Sequence, residues 1–234
     1  FDENKKNKRL QYKYNPCDSG RNSQLPECIK DLKIFKGYYR VGPSIRYMKF
    51  MESLMTILDV EFICHSFQDK KKLLEATAQR LAMGLEIYMK KYKYLKFKIK
   101  RGVLQYNLQN NQMSPHIRKY VSDFFDVNLV ILDLKRRQFY ATSYFHEERG
   151  TIFMLKNDEN DYEPLLRDNH SDNILYAYKE SGNLDIKEEL KTVLNDNNNV
   201  HGVLTQDKHL QKEIDAIKKM KITELRDKAY ELDI

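Results

Sequence analysis

The chain has 234 residues, of which 41 % are apolar and 32 % charged, with a formal net charge of +7. That length allows one large domain, or one domain with appendages, and the apolar share excludes a chain too polar to bury a core. Three cysteines, Cys17, Cys28 and Cys64, exclude a disulfide framework, and no apolar run reaches the roughly 18 residues that suggest a membrane span.

Reduced thiols fit an intracellular, cytoplasmic setting best, with a single Cys17–Cys28 bridge as the alternative. No signal peptide is visible, but the first residue is Phe1, so the natural start is expected upstream. The basic balance suggests an acidic partner: nucleic acid, an anionic membrane face or an acidic protein. A merely solubilising surface fits equally well, because the positive charge is spread along the chain. Lys, Asn, Ile and Tyr are abundant and Trp is absent, as in products of AT-rich genomes.

Residues 1–43 are polar and broken by Pro16, Gly20, Pro26, Gly37 and Pro43. They read as an extended basic arm, in which 33–41 supplies at most an edge strand. A core is expected over 44–166. Ser44 is placed to cap a helix whose apolar face is Ile45, Met48, Met51, Leu54, Met55 and Leu58. A second helix is expected from Asp69, burying Leu73, Leu74, Thr77, Leu81, Leu85 and Tyr88. Residues 91–101 (KYKYLKFKIKR) alternate basic and apolar, which suits a strand or a basic helix tail. Ser114-Pro115 opens another helix with Ile117, Tyr120, Val121, Phe124 and Phe125 inward.

The period then changes to two, or to continuous apolar runs. Asn128–Leu134 is a predicted strand, with Gln138–Phe145 and Thr151–Leu155 after it. Helices followed by clustered strands argue for an α+β fold, helices packed on a small sheet. Residues 167–205 read as a connector holding a short helix, Asp185–Leu194, and an Asn-rich linker. The tail, 206–234, carries two amphipathic helices, Gln206–Met220 and one from Thr223 to the end. No internal repeat is present.

Chemistry is sparse. Cys64-His65 is adjacent, but no second pair stands at zinc-finger spacing. The phosphate-cradling glycine loop, G-x-S-x-G and H-E-x-x-H are all missing, so no cofactor or metal is expected. Asp158, Glu159 and Asp161 read as a solvated turn.

The order of elements, with Glu52-Ser53-Leu54-Met55 in the first core helix and Asp161-Tyr162-Glu163-Pro164 after the late strands, resembles the ovarian-tumour (OTU) family. These are papain-like cysteine proteases that remove ubiquitin. The resemblance spans about 42–166. In that family a Cys opens the first core helix in a D-G-x-C-L-F context, and a His stands in an H-Y-[DE]-P-like segment. Here the matching positions are Ser53 and Asp161. A serine hydroxyl needs an imidazole to take its proton, and Asp161 is a far weaker base. The D-G-x-C loop, whose amides would form the oxyanion hole, is absent too. The resemblance therefore implies an inactive scaffold with no catalytic residues.

The segment Lys218–Ile234 (KKMKITELRDKAYELDI) resembles the first helix of a SAP-type motif, a pair of short helices that binds DNA or docks protein. On that resemblance Lys218, Lys219, Lys221, Arg226 and Lys228 are the expected phosphate contacts. An ordinary amphipathic surface helix is the competing reading. An inactive OTU-like core with a SAP-like tail resembles structural proteins of large cytoplasmic DNA viruses. The leading expectation is thus a non-enzymatic structural or scaffolding protein, a minor capsid-associated component of a virion. Its arm would engage other structural chains, and its tail DNA or an acidic protein. The alternatives are an OTU-type deubiquitinase with a displaced site, using Cys64, and a DNA-binding accessory protein.

Overall fold

The computed structural model describes residues 14–110, 112–142, 146, 148–158, 161–167 and 183–196. Residues 14–43 depart at once from the expected arm. Strand β1 (Asn22–Ser23) pairs antiparallel with β2 (Tyr38–Val41), joined by a one-turn helix α1 (Glu27–Lys30) and a 3-10 turn, Lys33–Phe35. Leu25, Ile29, Ile34, Phe35 and Tyr38 are all buried. Pro26 and Gly37 do forbid a long helix, but they punctuate short elements instead of preventing them. Gly37, at φ +80°, makes the turn into β2. The large apolar residues of this segment are few, yet nearly all point inward, which proline and glycine spacing alone does not reveal. Residues 1–13 lie outside the described residues.

Helix α2 (Lys49–Leu58) begins later than the expected cap at Ser44. The cause is Glu52, whose carboxylate accepts from the Ser44 hydroxyl and the Ile45 amide, each at 2.6 Å. Residues 44–48 therefore fold back over the helix start as a turn. Helix α3 (Phe67–Lys91) is capped by Ser66, not Asp69; Asp69 is the reciprocal partner three residues on, with its amide 3.2 Å from the Ser66 hydroxyl. Its buried face holds Leu74, Thr77, Leu81 and Leu85 as expected, whereas Leu73 points outward. The basic segment after α3 is neither strand nor helix tail. It is a 3-10 turn, Tyr94–Phe97, bracketed by the left-handed residues Lys93 (φ 51°) and Lys98 (φ 57°). Helix α4 (Arg101–Gln109) has no counterpart in the sequence reading, because it buries only Leu104 and Asn107. Helix α5 (Pro115–Phe125) starts as expected: the Ser114 hydroxyl accepts from the Ile117 amide and Pro115 takes the first position.

Four strands follow: β3 (Asn128–Asp133), β4 (Gln138–Ala141), β5 (Thr151–Asp158) and β6 (Asp161–Arg167), the last built by the D-Y-E-P-L segment itself. The expected continuation of β4 through 143–145 lies outside the described residues. Helix α6 (Asn183–Lys191) and β7 (Asn195–Asp196) close the described chain. The expected small sheet is in fact seven-stranded and mixed, in the order β1-β2-β6-β5-β3-β4-β7. The β3–β5 and β4–β7 pairs are parallel and the others antiparallel. The class is α+β.

Every residue of β3 is buried, because both sheet faces are covered. Leu129, Ile131, Ile152, Met154, Tyr162 and Leu166 face a core shared with α2, α3, α4 and α5. Val130, Leu132, Phe139, Phe153, Leu155 and Leu165 face a second core made with Ile29, Ile34, Phe35, Ile186, Leu190 and Leu194. The second layer thus joins the expected arm to the expected connector, and the Glu189 carboxylate ties them by accepting from the Lys33 and Ile34 amides. Residues 197–234, with both expected tail helices, lie outside the described residues. No described helix is long and apolar enough to cross a membrane.

Candidate functional site

The two positions singled out by the OTU resemblance lie on packed neighbours, α2 and β6. Ser53 is fully buried, and its hydroxyl donates to the Tyr162 carbonyl at 2.9 Å. Asp161 does not meet Ser53's hydroxyl; its Oδ1 takes the Lys49 ammonium at 2.7 Å. Lys49 opens α2, so a cation stands where the helix start approaches the strand. Phe50 packs edge-on against Tyr162 beside it, ring centroids 5.1 Å apart. The space left here, lined by Met48, Phe50, Met51, Met113 and Tyr162, is about 10 Å³. That is at the lower limit for a single water and admits no peptide. The arrangement welds a helix to a strand, with a hydroxyl acting as a strut and no base beside it.

Below this junction sits a buried ion pair. Arg40 Nη1 meets Glu163 Oε2 at 3.0 Å, with both side chains nearly inaccessible. Arg40 Nε also donates to the Gln24 carbonyl and Nη1 to the Asn15 carbonyl, each at 2.8 Å, and the guanidinium lies 5.0 Å from the centre of the Tyr14 ring. Glu163 Oε1 accepts from the Cys17 amide at 2.8 Å and Asn157 Nδ2 at 2.7 Å. Burial first, and then Glu163, pushes the Tyr14 hydroxyl well above the usual phenol range. The network pins residues 14–24 to β2 and β6. The sequence does carry a signal for it, since Glu163 is a carboxylate within the otherwise apolar stretch 162–166 of the strand.

A second knot joins α5 to the loop before β5. Arg149 reaches Asp126 (2.7 Å), Asp123 (3.0 Å) and the Tyr92 hydroxyl (3.1 Å). Asp123 also accepts from Lys119 at 3.0 Å and from the Tyr94 hydroxyl. Tyr88, Tyr92, Tyr94, Tyr120 and Phe124 pack ring to ring around it. Every carboxylate here already serves as a structural acceptor.

Among the described residues, the thiols offer no nucleophile paired with a base. Cys17, Cys28 and Cys64 are all free thiols, with no Cys17–Cys28 bridge. Burial pushes the Cys17 thiol up and the Cys28 thiol up to about 11, the opposite of what a reactive thiol needs. Cys64 and His65 are exposed neighbours at the end of a 3-10 turn. An open depression of about 650 Å³ lies against β1 and β2, lined by Leu25, Phe35, Tyr38 and Tyr39; its one cation, Lys30, is paired to Glu27. Lys218, Lys219, Lys221, Arg226 and Lys228, the expected nucleic-acid contacts, lie outside the described residues. No protein-family model matches the chain, and no curated protein matches it in sequence.

Proposed function

We propose that this chain is a non-catalytic structural or scaffolding protein whose core is an inactive version of the OTU fold, serving as a capsid-associated component of a virion. One observation carries the reading. The hydroxyl at the nucleophile position is buried and bonded to a backbone carbonyl, while the carboxylate at the base position is held by Lys49. Packing of α2 against β6 supports the equivalence of these positions to the protease pair, and the small size of the space beside them, about 10 Å³, supports the loss of chemistry. The three-layered core suits a rigid building block, and the tail would supply contact with DNA or an acidic protein.

The test is incubation of the full chain with ubiquitin chains of each linkage. All are expected to survive intact. Cleavage that disappears in Cys64→Ala would establish the displaced-site deubiquitinase instead.

A further inference from the structure

The basic segment that follows α3 is built as a ridge. Its inward side chains are Tyr92, Tyr94, Phe97 and Ile99, and Tyr94 and Ile99 are almost fully buried. Tyr94 donates to Asp123 and Tyr92 accepts from Arg149, so the ridge is fixed from beneath by the aromatic knot. Its lysines alternate outward: Lys91, Lys93, Lys96, Lys98 and Lys100 are all exposed. Lys93 and Lys98 hold left-handed conformations that cost about 1–2 kcal/mol for residues with a Cβ. The turn is thereby held in shape at some expense.

The apolar residues beside these lysines are not all hidden. Leu95, at the crest of the turn, is 71 % exposed, and Met83 and Ile87 on the outer face of α3 are 81 % and 68 % exposed. Met83 and Ile87 stand four apart, so they share one helix face. Glu86 lies between them and takes both Lys90 (3.1 Å) and Arg101 (3.6 Å), which draws the start of α4 to the same surface. From Met83 to Arg101 the sequence carries seven cations and a single carboxylate, Glu86. Among the described residues, Lys93, Lys96 and Lys100 make no ion pair.

We infer that this face docks on an anionic lipid bilayer, Met83, Ile87 and Leu95 entering the acyl boundary while the lysines meet headgroup phosphates and carboxylates. Charge fixes the sign of the partner, and the aliphatics select among anionic partners. A nucleic-acid backbone gives lysines equal reward but leaves Met, Ile and Leu in water, and single strands ask for exposed aromatic stacking faces. An anionic bilayer rewards both sets at once. The inference is independent of the proposed loss of protease activity.

The test uses the full chain in co-sedimentation with phosphatidylcholine vesicles, with and without about one-third phosphatidylserine. Binding is expected only with phosphatidylserine, weakening as salt rises. The variant Lys93→Asn/Lys96→Gln/Lys100→Gln should weaken partition on the order of 100-fold, at about five-fold per lysine. Met83→Gln/Ile87→Gln/Leu95→Gln should weaken it at least ten-fold, with circular dichroism unchanged because all three side chains are exposed. No binding by the parent chain overturns the inference. Undiminished binding by both variants places the contact elsewhere, and a lysine-dependent, aliphatic-independent affinity for duplex DNA makes the face a nucleic-acid surface.

Discussion

Glu163 shows how one side chain can hold three parts of the molecule. It neutralises Arg40, and it accepts from the Cys17 amide and from Asn157. Removing it leaves a buried guanidinium without its counter-charge, at a cost of about 3–5 kcal/mol. Urea unfolding of Glu163→Ala should show a loss of that size, while Glu163→Gln, which keeps hydrogen-bonding capacity, should lose less. A loss under about 1 kcal/mol would mean the pair is solvated. Ser53→Ala, removing one buried hydrogen bond, is expected to cost about 1 kcal/mol in the same measurement. His116, half-buried at the start of α5, is held by burial below its ordinary value of 6.5. The unfolded chain therefore takes up that proton at higher pH than the folded one. The resulting stability is complete above 6.5 and is lost as pH falls through the folded value. Thermal melts should show the Tm declining below that pH, less steeply in His116→Gln.

At the scale of elements, α3 crosses α5 closely at Gly84. A Cβ built there would lie 2.9 Å from Cε2 of Phe124 and 3.1 Å from the Tyr120 hydroxyl, itself anchored on the Leu81 carbonyl. Glycine to alanine inside a helix ordinarily gains about 1 kcal/mol. Here overpacking of about 1–3 kcal/mol should outweigh that gain, so Gly84→Ala is expected to lower the Tm. A raised Tm would show that Phe124 yields freely. The elements most legible in the sequence were α5, with its Ser114-Pro115 start, and β3, a continuous apolar run between turn residues. Helix α4 was illegible because it hides too few apolar side chains to set a period. The start of α2 was misplaced because a carboxylate one turn inside the helix, not the serine before it, collects the free donors. At the candidate site, Ser53 and Asp161 could be located by order of elements, but their partners, Tyr162 and Lys49, depend on how α2 lies across β6.

For the molecule as a whole, the two faces of the sheet were unequally readable. Helices with clear periodicity announce the layer of α2, α3 and α5. The opposite layer is assembled from two segments far apart in sequence, each with a handful of apolar residues, and the sheet brings them together. Its importance can be tested by truncation at Ser44. That removes β1 and β2 and uncovers Val130, Leu132 and Phe153, so the shortened chain is expected to aggregate or bind hydrophobic dyes. A monomeric, cooperatively folding truncation would restore the picture of a dispensable arm. The proposal that residue 53 serves as a structural joint is checked by intact-mass spectrometry after exposure to a ubiquitin probe with a thiol-reactive C-terminus, on the parent chain and on Ser53→Cys. Neither is expected to gain the mass of ubiquitin, because residue 53 is fully buried against the Tyr162 carbonyl and no base among the described residues faces it. A single stoichiometric adduct on either protein would contradict it.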